Sequence, residues 1–305
     1  MSILVIGSLN ADLTLHLSRA PLAGETVTAR DVVFACGGKG GNTACALGRL
    51  GMKTRFFGAV GKDSHGDRLL ENLLHNGVDT DYVLRSDAPT GTAYILLEDN
   101  AQNRIILVPG ANGTLTPECI RKKAMPLLRK AEMVAVQLEI PKPCIQAIIQ
   151  LCKQLGKRLI VDAGPADGYT MVDFADCWCV SPNETELETL AGRPLPGEEE
   201  QLRAARQLHG LGVAHVPVKL GDKGCLYVGE AGEFRLPAYR VKAVDTTAAG
   251  DSFTAGWCSA LVRGMGVKEA LTYANRCGAI AVTRMGAGPS LPTSSEVETF
   301  MADFR

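Results

Sequence analysis

No apolar run in this sequence reaches the ~18–20 residues that a membrane span requires. The opening MSILVIGSLNADL carries no basic segment, no extended apolar core and no cleavage-like site, so no export signal is expected there. Neither sign of charge is in excess: 32 Lys and Arg face 33 Asp and Glu, for a net charge of −1. A chain so balanced offers no global field for nucleic acid or for a membrane surface. Paired C-x-x-C spacings are missing, although there are ten cysteines, and the five histidines are scattered. Cys177-Trp178-Cys179 lacks the further ligands a zinc site needs, and an apolar strand explains it better. Most cysteines lie in apolar runs such as TACALG and CLYVG, which reads as buried free thiols in a reducing compartment. Repeats, linkers and low-complexity tracts are absent, and 46% hydrophobic with 21% charged residues does not describe a disordered chain. What remains is a cytoplasmic, enzyme-sized protein of 305 residues, long enough for one large α/β domain or two small ones.

The pattern along the chain favours one domain, residues 1–305. Ile3-Leu4-Val5-Ile6 is short, continuous and β-branched, as a buried strand is, and it ends in Gly7-Ser8. GGKGGN then leads into TACALGRLG, where Ala44, Leu47 and Leu50 mark a helix stopped by Gly51. Strands are expected at 55–60, 133–138, 158–162, 177–180 and 215–220, with paired runs at 225–228 and 234–243. Helices are expected at 67–76, after Thr116-Pro117, at 142–155, from Pro182, at 198–209 and through most of the tail from 249. Such alternation implies a doubly wound, mostly parallel sheet with helices on both faces. Segments near 13–36 and 91–108 break the rhythm. The second, two apolar runs around the polar turn 99–103, is a hairpin. Together they are expected to form a small antiparallel β lid on one edge.

Three stretches carry chemistry. DTTAAGDSF, residues 245–253, runs from an extended segment into a helix. Ala248, Ala249 and Gly250 have no bulk to keep an anion from the backbone amides and dipole of a helix N-terminus. Asp251 cannot help to bind phosphate there, since like charges repel, but it can take a proton from a hydroxyl that attacks one. Alone, it could equally be an ordinary N-cap. GGKGGN, residues 37–42, is neither a P-loop nor the G-x-G-x-x-G with an acid about 20 residues on that marks a dinucleotide fingerprint; alone it is a glycine-rich strand-to-helix turn. PNETE opens a helix with Asn183 and Glu186 one turn apart, which alone describes a capped surface helix.

In series these motifs resemble the ribokinase family of carbohydrate kinases, the phosphofructokinase-B type. Asp245–Asp251 is similar to that family's C-terminal signature and Gly37–Asn42 to its N-terminal one. GSLNAD at 7–12, QLE at 137–139, PNETE at 182–186 and AVTRMGA at 281–287 also fall, in order, where the family has motifs. The resemblance spans nearly the whole chain and is nearest to the ribose kinases. It implies a sugar held by Asn10, Asp12, Gly38, Lys39, Gly40, Gly41, Asn42 and Glu139, with Asp251 as catalytic base and Ala248, Ala249 and Gly250 as anion hole. It implies ATP bordered by Asn183, Lys219, Leu220, Gly221, Asp222, Lys223, Gly224, Gly250 and Asn275, and Mg²⁺ oriented through water by Asn183 and Glu186. It further implies K⁺ held by Asp245 with Thr247, Ala281, Arg284, Gly286 and Ser290. Residue by residue, Asn275 could instead be a helix-face polar group, and Asp245 a strand-end acid bonding its own loop. A homodimer through the lid is expected, with a small-molecule sugar and ATP as the other partners and neither nucleic acid nor membrane.

Four positions depart from the family pattern. Ala248 stands where glycine is usual, so the loop is expected to pass through it in an ordinary backbone region. Gly41 replaces a more common alanine, Lys219 a small polar residue, and VDAGPAD at 161–167 an Asn-Pro-Ala-Pro. The expected activity is ATP-dependent phosphorylation of a pentose primary hydroxyl, D-ribose first. The alternatives are a 2-deoxyribose, fructose or nucleoside kinase, or a sugar-binding protein without catalysis.

Overall fold

Strand Ile3–Ile6 shows why the main sheet needs helices on both sides: Leu4 and Ile6 enter one hydrophobic core, and Ile3 and Val5 the other. The computed structural model describes residues 2–100 and 102–301. Its nine-stranded sheet runs Gly232–Leu236, Cys225–Gly229, His215–Lys219, Cys179–Ser181, Arg158–Asp162, Met133–Gln137, Ile3–Ile6, Thr54–Phe57, Val78–Asp79. Only the pairings that involve Cys225–Gly229 are antiparallel; the others are parallel. Helices Lys142–Gln154 and Glu198–Gly210 cover one face. Lys39–Arg49, Ser64–His75, Ala249–Val262 and Val267–Ala281 cover the other. All ten cysteines are free, eight of them buried. Among the described residues no helix is long and apolar enough to cross a membrane.

The lid is a four-stranded sheet in the order Asp31–Gly37, Asn10–Leu17, Gly91–Glu98, Asn103–Val108. Its outer pairings are antiparallel, including the expected hairpin, whose turn contains Ala101 outside the described residues. The central pairing, Asn10–Leu17 with Gly91–Glu98, is parallel, because the two segments are joined through the body of the protein rather than by a turn. Residues 25–30, expected to be extended, form no strand. The lid is rooted at Asp63, the N-cap of helix Ser64–His75, which also accepts from the Thr90 amide at 2.8 Å and the Thr90 hydroxyl at 2.6 Å.

One local expectation is corrected. GGKGGN is not a turn leading into a helix; the helix begins at Lys39, so Gly40 and Gly41 lie inside it. Glycine costs a helix up to about 1 kcal/mol relative to alanine, and here the reason for it is proximity. A Cβ on Gly40 would lie 2.7 Å from the Ser8 amide nitrogen and 2.8 Å from the Gly7 backbone. The helix is thereby pressed against the chain where it leaves the central strand. At Gly41 a Cβ would meet only the end of the Leu9 side chain, at 2.8 Å. Gly40→Ala is therefore expected to destabilise the fold by roughly 1–3 kcal/mol, as overpacking does. Gly41→Ala is expected to leave stability near wild type, the gain in helix propensity offsetting a shift of Leu9. Thermal denaturation of both variants tests this; an equal fall in Tm would show that the backbone approach at Gly40 is not the cause.

Candidate active site

Helix Ala249–Val262 is buried along nearly its whole length, with Asp251 in its first turn at 3% exposure. One carboxylate oxygen, Oδ2, accepts from Asn42 Nδ2 at 2.9 Å. The other, Oδ1, has no hydrogen-bond partner, and Lys39 Nζ stands 3.9 Å away. Burial pushes the Asp251 carboxyl up to about 6; Lys39 and Asn42 oppose that shift, while Asp162 and Glu139 add to it. In return, Asp251 holds the Lys39 ammonium firmly protonated. The result is a carboxylate with one oxygen hydrogen-bonded and one buried without a hydrogen-bond partner.

The backbone before it is not as expected. Ala248, the N-cap, adopts φ 60° and ψ 9°, the left-handed region. That conformation costs a non-glycine residue roughly 1–2 kcal/mol, and the loop requires it because the chain must turn into the helix within one residue. The Ala249 amide is spent on the Thr246 carbonyl at 3.2 Å. The Gly250 and Asp251 amides have no acceptor among the described residues and, with the helix dipole, present an anion site.

On the lid side, Asn10 and Asp12 lie on one face of strand Asn10–Leu17. Asn10 is buried and accepts from Asn112 Nδ2 at 2.8 Å. Asn112 in turn clamps the Leu9 backbone, donating to its carbonyl and accepting from its amide, both at 3.0 Å. Burial first, then the nearby Glu139 and Asp251, push Asp12 up to about 7. Glu139 Oε2 accepts from the Ser8 hydroxyl and, at 3.0 Å, from the Lys39 amide, so it secures the start of helix Lys39–Arg49. Gly38, at φ 84°, caps that helix over the Asn10 and Ser8 backbone.

A cleft of about 640 Å³ opens from Asp251 and Lys39 towards Tyr239 and Asn275. Asn183 and Glu186 close its wall as a reciprocal capping box, each side chain accepting from the other's amide, at 2.8 and 2.7 Å. Gly221, Asp222 and Gly224 line the cleft, as does Asn275, whose amide approaches the Pro237 carbonyl at 3.5 Å. Two residues expected beside ATP face elsewhere: Leu220 is in the core, and Lys223 pairs with Glu184 on the surface. Lys219 is not at the far end of the cleft. It bonds Asp162 and lies 3.9 Å from Glu186, close to Asp251's helix. Burial opposes its charge, but Asp162 and Glu186 outweigh this and raise it above the ordinary lysine range.

Asp245 bonds its own loop. Its Oδ1 accepts from the Thr247 amide at 2.9 Å and hydroxyl at 2.7 Å, and its Oδ2 from the Gly286 amide at 2.8 Å. It thereby joins the segment before the anion site to the one holding Ala281 and Arg284. Ser290 is buried and donates to the Ala287 carbonyl at 2.7 Å, and Arg284 pairs with Glu296 at 2.6 Å. Among the described residues no cluster of three or more His, Cys, Asp or Glu side chains forms a metal site.

Sequence reasoning missed Asp162, fully buried and accepting from Thr254 Oγ1 at 2.9 Å, and Asn112. The signal for Asp162 was present in its position, an acid closing an apolar strand. Asn112, after the lid hairpin, carried none.

The chain matches the pfkB family of carbohydrate kinases over residues 1–294. It is similar to a ribokinase of Haemophilus influenzae, 33% identical over 97% of both chains. It is 34% identical, over 99% of both chains, to a deoxyribokinase of Salmonella typhi. The solved structure of an Arabidopsis thaliana ribokinase complexed with ribose and ATP superimposes with a TM-score of 0.91 at 36% identity, covering 98% of this chain and 99% of the other.

Proposed function

The chain belongs to the pfkB family of carbohydrate kinases, and from that membership as an ATP-dependent sugar kinase we propose that it phosphorylates the primary hydroxyl of a pentose, D-ribose, to give ribose 5-phosphate. The observation that carries the reading is the open Oδ1 of Asp251 beside unpaired amides at a helix N-terminus. The sugar is held by Asn10, Asp12, Glu139 and the 38–42 segment, with its primary hydroxyl on Oδ1. Asp251 takes the hydroxyl proton as the oxygen attacks the γ-phosphorus, and the amides after Ala248 receive the charge of the transferring group. The Arabidopsis relative in complex with ribose and ATP supports the sugar; the Salmonella deoxyribokinase supports 2-deoxyribose as the second reading.

Asn183 and Glu186 offer only oxygen donors, already engaged with each other's amides, which suits Mg²⁺ reached through water. With the nucleotide, that ion would neutralise charge on the phosphate oxygens. A potassium site at Asp245, the carbonyls of Thr247, Ala281, Arg284 and Gly286, and Ser290 would stiffen the loop beneath the anion site. Turnover is then expected to be faster in potassium than in sodium chloride at equal ionic strength, a preference that Asp245→Ala abolishes; an unchanged cation profile would remove the site.

The lid supports a dimer. Val32, Val33, Ile105, Ile106, Leu107 and Val108 are 41–61% exposed, more apolar surface than a monomer of this kind leaves uncovered without purpose. Sedimentation is expected to give a dimer at micromolar concentration, and a monomer with and without sugar would refute the lid contact. Ten free thiols support a cytoplasmic setting.

Asp251→Asn is expected to keep sugar and ATP affinity and to lose roughly 10²–10⁴ in kcat; a kcat within threefold of wild type would end the assignment. Because the Asp251 carboxyl is raised to about 6 and must be ionised to act, kcat/KM is expected to fall as pH drops through that value. Lys39→Met removes the ammonium that opposes the rise, so the acid limb of the pH profile should move to higher pH. For specificity, 2-deoxyribose is expected to be poorer than ribose in kcat/KM by about tenfold or more, since a buried group built to bond the missing hydroxyl is left unpaired. Asp12→Ala should narrow that gap. Preference for 2-deoxyribose would establish the second reading instead.

A further inference from the structure

Two departures from the family pattern, at 162 and 219, stand 57 residues apart in sequence and touch in space. Asp162 and Lys219 each close a strand of the parallel sheet on the edge where Asp251 lies. Their side chains are 1% and 12% exposed and form an ion pair. Thr254, one turn after Asp251, donates to the second Asp162 oxygen at 2.9 Å, so the carboxylate is held from both sides and the ammonium is aimed. Lys219 Nζ lies 3.7 Å from the point where a Cβ on Gly250 would stand, directly over the anion site. An ammonium has three donors, and here one is spent, on Asp162. A buried ion pair of this kind adds little stability over apolar residues of the same volume, so stability alone does not account for it.

We propose that Lys219 is a further catalytic residue of phosphoryl transfer, its ammonium meeting the γ-phosphoryl oxygens as they cross Gly250, with Asp162 as the residue that positions it. The proposal rests on the kinase reading and adds to it a second, tethered cation in the cleft that Lys39 also lines. In the transfer, the bond from the sugar oxygen to the γ-phosphorus forms, and the bond from that phosphorus to the bridging oxygen of ADP breaks. The hydroxyl proton passes to Asp251 Oδ1, and Lys219 keeps its own proton, contributing charge alone. The two residues belong together physically: a lysine without Asp162 would be an unaimed buried charge.

The test compares wild type, Lys219→Met and the double variant Asp162→Asn/Lys219→Thr. It measures steady-state kinetics with ATP and ribose, and calorimetric binding of ADP and of a non-hydrolysable ATP analogue. Lys219→Met is expected to lose roughly 10²–10³ in kcat. It should weaken the ATP analogue tenfold or more while leaving ADP within threefold. The double variant, which leaves no buried charge unpaired, is expected to keep the wild-type Tm and show the same kinetic loss, and it carries the test if Lys219→Met does not fold. A double variant with wild-type kcat would make Lys219 a counter-ion of Asp162 only. Equal weakening of ADP and the ATP analogue would remove it from the γ-phosphoryl group. Wild type inactive on every sugar would instead overturn the kinase reading, an outcome separate from either.

Discussion

A carboxylate buried to 3% exposure sets the terms for the groups around it. Lys39 and Asn42, both on helix Lys39–Arg49, favour the ionised form of Asp251 against its burial. That helix comes close enough because Gly40 has no side chain against Gly7 and Ser8, and Glu139 fastens its first amide. The central strand, the glycine contact, the helix and the buried carboxylate are thus one chain of dependence. The arrangement opposes stability. Asp12 and Asp251 both have folded-state values raised above the ordinary 3.8, to about 7 and about 6. Each therefore favours the folded state most when protonated, and that contribution is lost as pH rises from the ordinary carboxylate range through 6 and 7. At neutral pH the two carboxylates are therefore held charged against their burial, at a cost to stability.

What was legible in the sequence was local. Asp251 and the small residues before it are contiguous, and so are Gly37–Asn42 and Asn183–Glu186; a helix start can be read from its own few residues. The parallel sheet was legible because alternating strands and helices leave few other topologies. What escaped depends on which strand ends meet. Asp162 and Lys219 became one feature only when their strands were seen two places apart in the sheet, and Asn112 gained a role only when its loop was found against Leu9 and Asn10. The parallel pairing at the centre of the lid escaped for the same reason.

Ala248 is a different kind of miss. The rule that alanine avoids positive φ is sound, and the expectation followed from it; the fold imposes the conformation nonetheless. Helix Ala249–Val262 is buried along nearly its whole length, and Asp245 ties the loop before it to Gly286. With both ends held, the remaining turn falls on one residue. Strain at such a position is sustained by rigidity on either side of it.

The two carboxylates whose values burial raises most plainly, Asp12 and Asp251, sit on different parts of the fold. Asp12 rides on the lid strand Asn10–Leu17, while Asp251 is anchored in the interior of the main domain. A molecule that engages both must be long enough to bridge them. On the proposed reading, a sugar that spans the two carboxylates would be told from solvent water by its length.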